Sequence, residues 1–252
     1  MIKIINSGCN GYMGKVVTAA AATDPGVCIV AGIDINTAQT ENYPVFAKAS
    51  DIPSDITADA IVDFSNPAAL EDLLVYATAK KVPLILCTTG YTAEQIAQIE
   101  NASKTIPVFR SGNMSVGINL LADLIKKACA ILGEDFDVEI IERHHKRKID
   151  APSGTALMLA DAANEALPYN AEYTYERESS RKPRERNEIG ISSVRGGTIV
   201  GVHDVIFAGH DEVLELRHTA ASRDIFAKGA IKAAKYITAK SAGLYSMKDV
   251  LA

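Results

Sequence analysis

No stretch of this 252-residue chain is apolar for long enough to cross a membrane. Apolar runs such as Leu84 to Cys87 and Ala19 to Ala22 fall far short of the roughly 20 residues a spanning helix needs. Positive charge is not in excess either: 26 Lys and Arg stand against 31 Asp and Glu, a net charge of −5 at pH 7. That balance argues against nucleic acid or an acidic membrane as the main partner. The four cysteines, Cys9, Cys28, Cys87 and Cys129, are scattered and form no Cys-x-x-Cys pair. They read as reduced thiols of a cytoplasmic protein, with neither a disulfide frame nor a zinc site, and no metal is expected. The opening Met1-Ile-Lys-Ile-Ile5 has no small-residue cleavage site before the glycines that follow, so it reads as a strand and not as a secretory signal. Repeats and low-complexity tracts are absent. What remains is ordinary globular composition, 48% apolar and 23% charged, in a chain long enough for two domains.

Ile2 to Asn6 is a short β-branched run ending at Ser7-Gly8, which fits a buried strand. Met13 to Thr23 is rich in Ala and Val and stops at Asp24-Pro25-Gly26, so it predicts a helix. Strand chemistry returns at Val27 to Ile33, Ala60 to Phe64, Val82 to Cys87 and Ile106 to Phe109. Between them, Asn66-Pro67 opens one helix, and Thr92 with Gln95 forms a capping box for another. Strand and helix alternating in short units predicts a parallel sheet covered on both faces. Val116 to Leu132 is helical, with Ile118, Leu121, Leu124 and Ile125 expected on one buried face. The pattern then changes: a strand at Val138 to Ile141, a helix at Ser153 to Leu167, and strand runs in Ile189 to Thr219 broken by Gly196-Gly197 and by Gly209-His210-Asp211. These suggest a second domain on an open sheet, with the amphipathic helix Ile225 to Lys240 returning to the first. The charged Glu176 to Asn187 segment, which has no interleaved aromatics, reads as a solvated mobile loop.

Gly8-Cys-Asn-Gly11-Tyr-Met-Gly14 lies between the first strand and the first helix. Glycine there permits a tight turn and lets a pyrophosphate reach the helix N-terminus. The spacing departs from G-x-G-x-x-G, and a purely structural turn is the alternative. The context favours dinucleotide binding, because Asp34 ends the next strand where a carboxylate can accept hydrogen bonds from ribose hydroxyls. Ile35, Asn36 and Thr37 follow it without a cation to neutralise a 2′-phosphate, so NADH is expected to be preferred. NADPH is the alternative, should a cation from elsewhere reach the pocket.

The densest chemistry lies in Glu142-Arg-His144-His145-Lys-Arg-Lys148-Ile-Asp150-Ala-Pro-Ser153-Gly154-Thr155-Ala156. Histidine exchanges protons near neutrality, and a helix opened by Ser-Gly-Thr offers free amides to a carboxylate. The plainer reading is an exposed basic turn, salt-bridged through Glu142 and Asp150. The helix start, together with a nicotinamide site on the same chain, favours an anion site with a proton donor. His203, His210 and His218 fall in strand or turn contexts and read as structural, with His203 the one to watch.

These motifs resemble the 4-hydroxy-tetrahydrodipicolinate reductase family, formerly dihydrodipicolinate reductase, over essentially the whole length. Supporting matches are Val62-Asp-Phe-Ser65, Cys87-Thr-Thr-Gly90, Gly112-Asn-Met-Ser-Val-Gly117, Val194-Arg-Gly-Gly197, Gly201-x-His203, Ser222-Arg223 and Gly243 to Leu251. The resemblance implies an α/β enzyme: a Rossmann-type parallel sheet at residues 1–115 plus 224–252, and an α+β domain on an open mixed sheet at 116–223. The second domain would bind substrate and build a homotetramer. The activity implied is NAD(P)H-dependent reduction of a small cyclic dicarboxylate in lysine and diaminopimelate biosynthesis, giving tetrahydrodipicolinate. Matched by motif, His144 would donate the proton and Lys148 would be the catalytic cation, with His145, Ser153, Gly154 and Thr155 on the substrate. Cofactor contacts would come from Gly8, Cys9, Asn10, Gly11, Tyr12 and Met13, from Asp34, from Cys87, Thr88 and Thr89, and from Ser111, Gly112, Asn113 and Met114. Two departures stand out: Cys87 replaces a common Gly, and Ser111-Gly-Asn-Met-Ser115 replaces Ala-x-Asn-Phe-Ser.

Overall fold

In the computed structural model, which describes residues 1–251, the chain runs β1 (Ile2–Ser7), α1 (Tyr12–Ala22), β2 (Val27–Ile33), β3 (Val45–Phe46), β4 (Ala60–Asp63), α2 (Leu70–Lys80), β5 (Leu84–Leu86), α3 (Ala93–Ala102) and β6 (Pro107–Arg110). Then follow α4 (Val116–Leu132), β7 (Asp137–His144), α5 (Gly154–Ala166), β8 (Glu172–Thr174), β9 (Glu188–Arg195), β10 (Gly201–Ala208) and β11 (Val213–Ala220). The last elements are α6 (Asp224–Ile237), β12 (Gly243–Tyr245) and α7 (Met247–Leu251). Two units result: unit 1 is Met1–Ser115 with the chain from Arg223 onward, and unit 2 is Val116–Ser222. Residue 252, assigned above to the first domain, lies outside the described residues. Among the described residues, no helix is long and apolar enough to cross a membrane.

Unit 1 carries a seven-stranded parallel sheet in the order β12-β6-β5-β4-β1-β2-β3. Its central strands are apolar on both faces, as helical cover requires: Ile4, Ile5, Ile61, Leu84, Ile85 and Leu86 are all fully buried. Each such side chain contributes about 1.5–3 kcal/mol over its exposed state. Chain order reverses at β1, so the turn after β1 opens at the switch point where doubly wound sheets bind ligands. Two glycines fix that turn. Gly8 has φ +79°, and a Cβ there would meet the Phe64 carbonyl oxygen at 2.7 Å. At Gly14 a Cβ would collide with the backbone of Gly8 and Cys9. The Thr92–Gln95 capping box is formed, and Asn66 caps a 3₁₀ turn at Pro67–Ala69 that leads into α2.

Unit 2 is built on a mixed sheet in the order β11-β10-β7-β9-β8, with antiparallel β11–β10–β7 and parallel β7–β9 and β8–β9. Its inward face packs Val138, Ile140, Ile189, Ile191, Val205 and Phe207 against α4 and α5. Strand periodicity of two then carries Glu142 and His144 onto the same buried face.

Three expectations are corrected here. The strand expected to stop at Ile141 runs on to His144, because the polar residues continue its alternation and pair with β9 and β10. Leu124 is 41% exposed. It lies about 120° around the helix from the stripe of Ile118, Leu121, Ala122 and Ile125, at 100° per residue. Finally, the Glu176 to Asn187 segment is an exposed loop as expected, yet it is tied to the sheet and not left mobile: Arg177 bonds Glu139 and Glu188, and Arg184 reaches Asp137 and Glu139. Opposite charge on β7 and β9, far away in sequence, supplies that anchorage.

Candidate active site

In unit 1 the helix after the Gly-rich turn begins without a side-chain cap, since its N-cap is Gly11. Its first-turn amides are therefore left without a capping side chain, the arrangement in which a helix start can accept an anion. Asp34 lies against the same turn: Oδ2 accepts from the Asn10 N–H at 2.9 Å and Oδ1 from the Asn36 N–H at 3.0 Å. The Asn10 side chain donates onward to the carbonyls of Asn36 and Ala38 at 2.6 and 2.9 Å, fastening the segment after β2 to the turn. Tyr12 is exposed, and the Arg223 guanidinium stands 4.7 Å from its ring centroid.

A buried carboxylate organises the neighbouring loops. Asp63, at the end of β4, accepts from Ser7 Oγ at 2.7 Å, Ser65 Oγ at 2.5 Å and Thr88 Oγ1 at 2.7 Å. One side chain thus ties together the segments that leave β1, β4 and β5. Burial pushes its carboxyl above the ordinary range, against those hydrogen bonds. Burial first, then the charge of Asp63, holds the Cys87 thiol far up, so Cys87 is not a nucleophile at neutral pH. Farther along, Ser111 Oγ donates to the Asn113 carbonyl at 2.7 Å, and Asn113 Oδ1 accepts from the Ser115 N–H at 2.9 Å. Met114 is buried with its carbonyl against Gly229.

In unit 2, Glu142 is the fully buried centre of the basic segment. Arg195 grips it with two N–H···O bonds of 2.8 and 2.7 Å, the Ser153 N–H donates at 3.1 Å, and His144 Nδ1 stands 2.6 Å from its Oε2. Burial opposes the charge on Glu142, yet the bonds from Arg195 and His144 prevail and hold its pKa at about 2. An ionised Glu142 only accepts, so His144 donates through Nδ1, which leaves Nε2, beside Gly201, as its exchangeable nitrogen. Nothing crowds that atom from Gly201, whose missing Cβ would lie 3.2 Å away. Burial lowers the His144 pKa, Lys148 and Arg195 add to this, and Glu142 opposes it.

Arg195 also donates to the Asp150 carbonyl at 2.7 Å, pinning the loop between β7 and α5. In that loop Lys148 pairs with Asp150 at 2.9 Å, and the His145 carbonyl accepts from the Lys148 N–H at 3.1 Å. Ser153 caps α5 by accepting from the Ala156 N–H at 3.1 Å, while His203 Nε2 lies 3.1 Å from the same oxygen. Gly154 has open space where a Cβ would stand.

Of the residues singled out by sequence, His144, Ser153, Gly154 and Lys148 cluster in unit 2 around Glu142, and the Gly8–Met13 turn, Asp34 and Thr88 lie at the strand ends of unit 1. Sequence reasoning gave no role to Asp63 or Arg195 and treated Glu142 only as a salt-bridge partner. For Glu142 a signal was present: two residues before a strand histidine means the same face. Among the described residues, no group of three or more His, Cys, Asp or Glu side chains is arranged to hold a metal.

Comparison with known proteins follows the same division. A family model described as dihydrodipicolinate reductase, N-terminus, matches residues 2–114, and one described as dihydrodipicolinate reductase, C-terminus, matches residues 117–251. The chain is 52% identical over 253 aligned residues to a 4-hydroxy-tetrahydrodipicolinate reductase of Clostridium perfringens, covering 100% of this chain and 98% of the relative. It is 49% identical to the protein of that name in Caldanaerobacter subterraneus subsp. tengcongensis, again covering 100% and 98%. A solved dipicolinate-bound dihydrodipicolinate reductase from Paenisporosarcina sp. TG-14 superposes with a TM-score of 0.83 at 25% identity, covering 98% of this chain and 97% of that one.

Proposed function

The chain belongs to the dihydrodipicolinate reductase family, and we propose that it reduces 4-hydroxy-tetrahydrodipicolinate, through dihydrodipicolinate, to tetrahydrodipicolinate. As an oxidoreductase of this family it uses a nicotinamide cofactor. Unit 1 fits that group: α1 begins uncapped beside Gly8 and Gly11, with Asp34 next to the turn. We assign the pyrophosphate to the Gly8–Met13 turn, the adenosine ribose to Asp34, and further contacts to Cys87–Thr89 and Ser111–Met114. When bound, reduced nicotinamide supplies a hydride. Preference for NADH rests on Asp34 and on the uncharged Ile35-Asn36-Thr37 that follows it, a setting hostile to a 2′-phosphate.

The protein's own work lies in unit 2. Adding a hydride to a conjugated C=C–C=N system makes one carbon electron-rich, and a proton must arrive there. His144 Nε2 is the donor. The Nδ1–H bond to Glu142 fixes the ring and stabilises the imidazolium once formed. In the free protein burial favours neutral imidazole, whereas two substrate carboxylates favour the charged form, so loading the substrate also loads the acid. The Gly154 and Thr155 amides, on the positive end of α5, with Ser153, hold one carboxylate. Lys148 exchanges its exposed partner Asp150 for substrate, a change that costs little because such a pair is weak. His145 is assigned to substrate contact beside it.

The observation that carries this reading is the 2.6 Å Glu142–His144 pair beside a Ser-capped helix start. The test follows NADH absorbance with the cyclic product of dihydrodipicolinate synthase, in wild type and His144→Ala. Turnover should fall by about 100-fold or more in the variant, and unchanged turnover removes His144 as the acid. We further assign residues 1–115 with 224–252 to cofactor, 116–223 to substrate and assembly, a cytoplasmic location and a homotetramer. Exposed Val194, Val213 and Leu214 on the strands of unit 2 support the assembly assignment.

A further inference from the structure

His203 has no place in the chemistry described so far, yet it is buried at 4% exposure, a ring-to-ring distance of 5.2 Å from His144. Its Nε2 is 3.1 Å from Ser153 Oγ, and its Nδ1 is buried with no hydrogen-bond partner among the described residues. Those two facts choose the tautomer. With the proton on Nδ1, an N–H donor would be buried and unused. With the proton on Nε2, only an acceptor lone pair goes unused, the less costly defect. His203 therefore donates through Nε2 to Ser153.

The serine oxygen then accepts twice, from His203 and from the Ala156 N–H. Two lone pairs are all it has, so its own proton points to a third group, which must be an acceptor. A carboxylate is acceptor-only, and α5 opens at this point. We propose that His203 is a positioning residue that turns the Ser153 hydroxyl into a donor for the substrate carboxylate at the start of α5. This rests on reading that helix start as the carboxylate site. Burial, then the neighbouring His144, pushes the His203 pKa down to about 4, so the ring keeps a single proton across the neutral range. The opposite tautomer would consume the serine proton on His203 and present the carboxylate with a lone pair.

Isothermal titration of the full chain with dipicolinate, a flat cyclic dicarboxylate, reads the effect without turnover. Ser153→Ala and His203→Phe are each expected to weaken binding by ~10-fold, with the double variant no weaker than Ser153→Ala alone. His203→Gln keeps an N–H donor and should lose less than ~3-fold. The KM for NADH should not move in any of them. An equal loss from His203→Phe with and without the Ser153 hydroxyl overturns the inference. Heteronuclear NMR of the wild-type histidine rings needs no variant to fold, and an Nδ1–H tautomer at His203 overturns it too. Where wild type still oxidises NADH with the cyclic substrate, either result removes the His203 assignment alone. A wild type that neither binds dipicolinate nor oxidises NADH overturns the reading of the site and this inference with it.

Discussion

His144 Nδ1 and Glu142 Oε2 lie 2.6 Å apart on one face of a strand, two residues from each other in sequence. The alternation that buries Val138 and Ile140 delivers the carboxylate and the ring to the same side, so the pair is set by strand geometry and not by loop conformation. Glu142→Gln keeps the shape and removes the charge. It should lower kcat by about 10- to 100-fold while KM for NADH stays within a factor of about two.

The pH profile follows from the same pair. As the proposed proton donor His144 would have to be protonated, and burial lowers its free-state pKa below 6.5, so kcat/KM should fall as pH rises through that lower value. The limb in kcat, which reports the bound complex, should sit at higher pH because the dianion favours the charged ring. Glu142→Gln removes the group that raises this pKa, so both limbs should move to lower pH. Steady-state profiles for the two proteins are the check, and a shift in the opposite direction contradicts the assignment.

Arg195 should matter first for stability. Arg195→Met leaves Glu142 buried without its bidentate partner, at a cost of about 3 kcal/mol in denaturant unfolding at neutral pH. In wild type, Glu142 titrates at about 2 when folded against an ordinary 4.5, so its contribution is present above pH 4.5 and lost as pH falls toward 2. The variant should show a smaller acid loss over that window.

Asp63 separates folding from cofactor binding. Its raised pKa means that the ionised form costs stability as pH rises above the ordinary 3.8. Asp63→Asn should therefore leave the thermal midpoint unchanged or higher. It also replaces the acceptor of the Thr88 hydroxyl by a donor, so that hydroxyl must reverse. KM for NADH is expected to rise by about 3- to 10-fold with kcat preserved, measured beside a melting curve.

Cofactor preference should reside in Asp34. Asp34→Ser removes a carboxylate that receives two backbone N–H groups. Its kcat/KM with NADH should fall by about 10-fold, and the ratio of NADH to NADPH efficiency should narrow. An unchanged ratio would assign the preference elsewhere.

The architecture was legible wherever a local pattern sufficed. The β-branched run at Ile2, the Asp24-Pro25-Gly26 stop and the Thr92–Gln95 box each act within a few residues. Strands β3, β8 and β12 are two or three residues long and exist only through pairing with a neighbour, so no local signal marks them. The same division runs through the site. The Gly-rich turn and the Ser153 cap are local devices, whereas Arg195 meets Glu142 across 53 positions and Asp63 meets Ser7 across 56. Such pairings follow from sheet register, which only the folded chain reveals.

The edge pairing of β12 with β6 bears on how the protein is made. While the ribosome is still translating unit 2, the nascent first unit has neither α6 to cover its sheet nor a strand to complete that edge. Unit 2, uninterrupted in sequence, can fold first, although unit 1 starts earlier. Through that interval the open flank of β6 is a place where a wrong strand could pair, and so a point at which a chaperone would be of use.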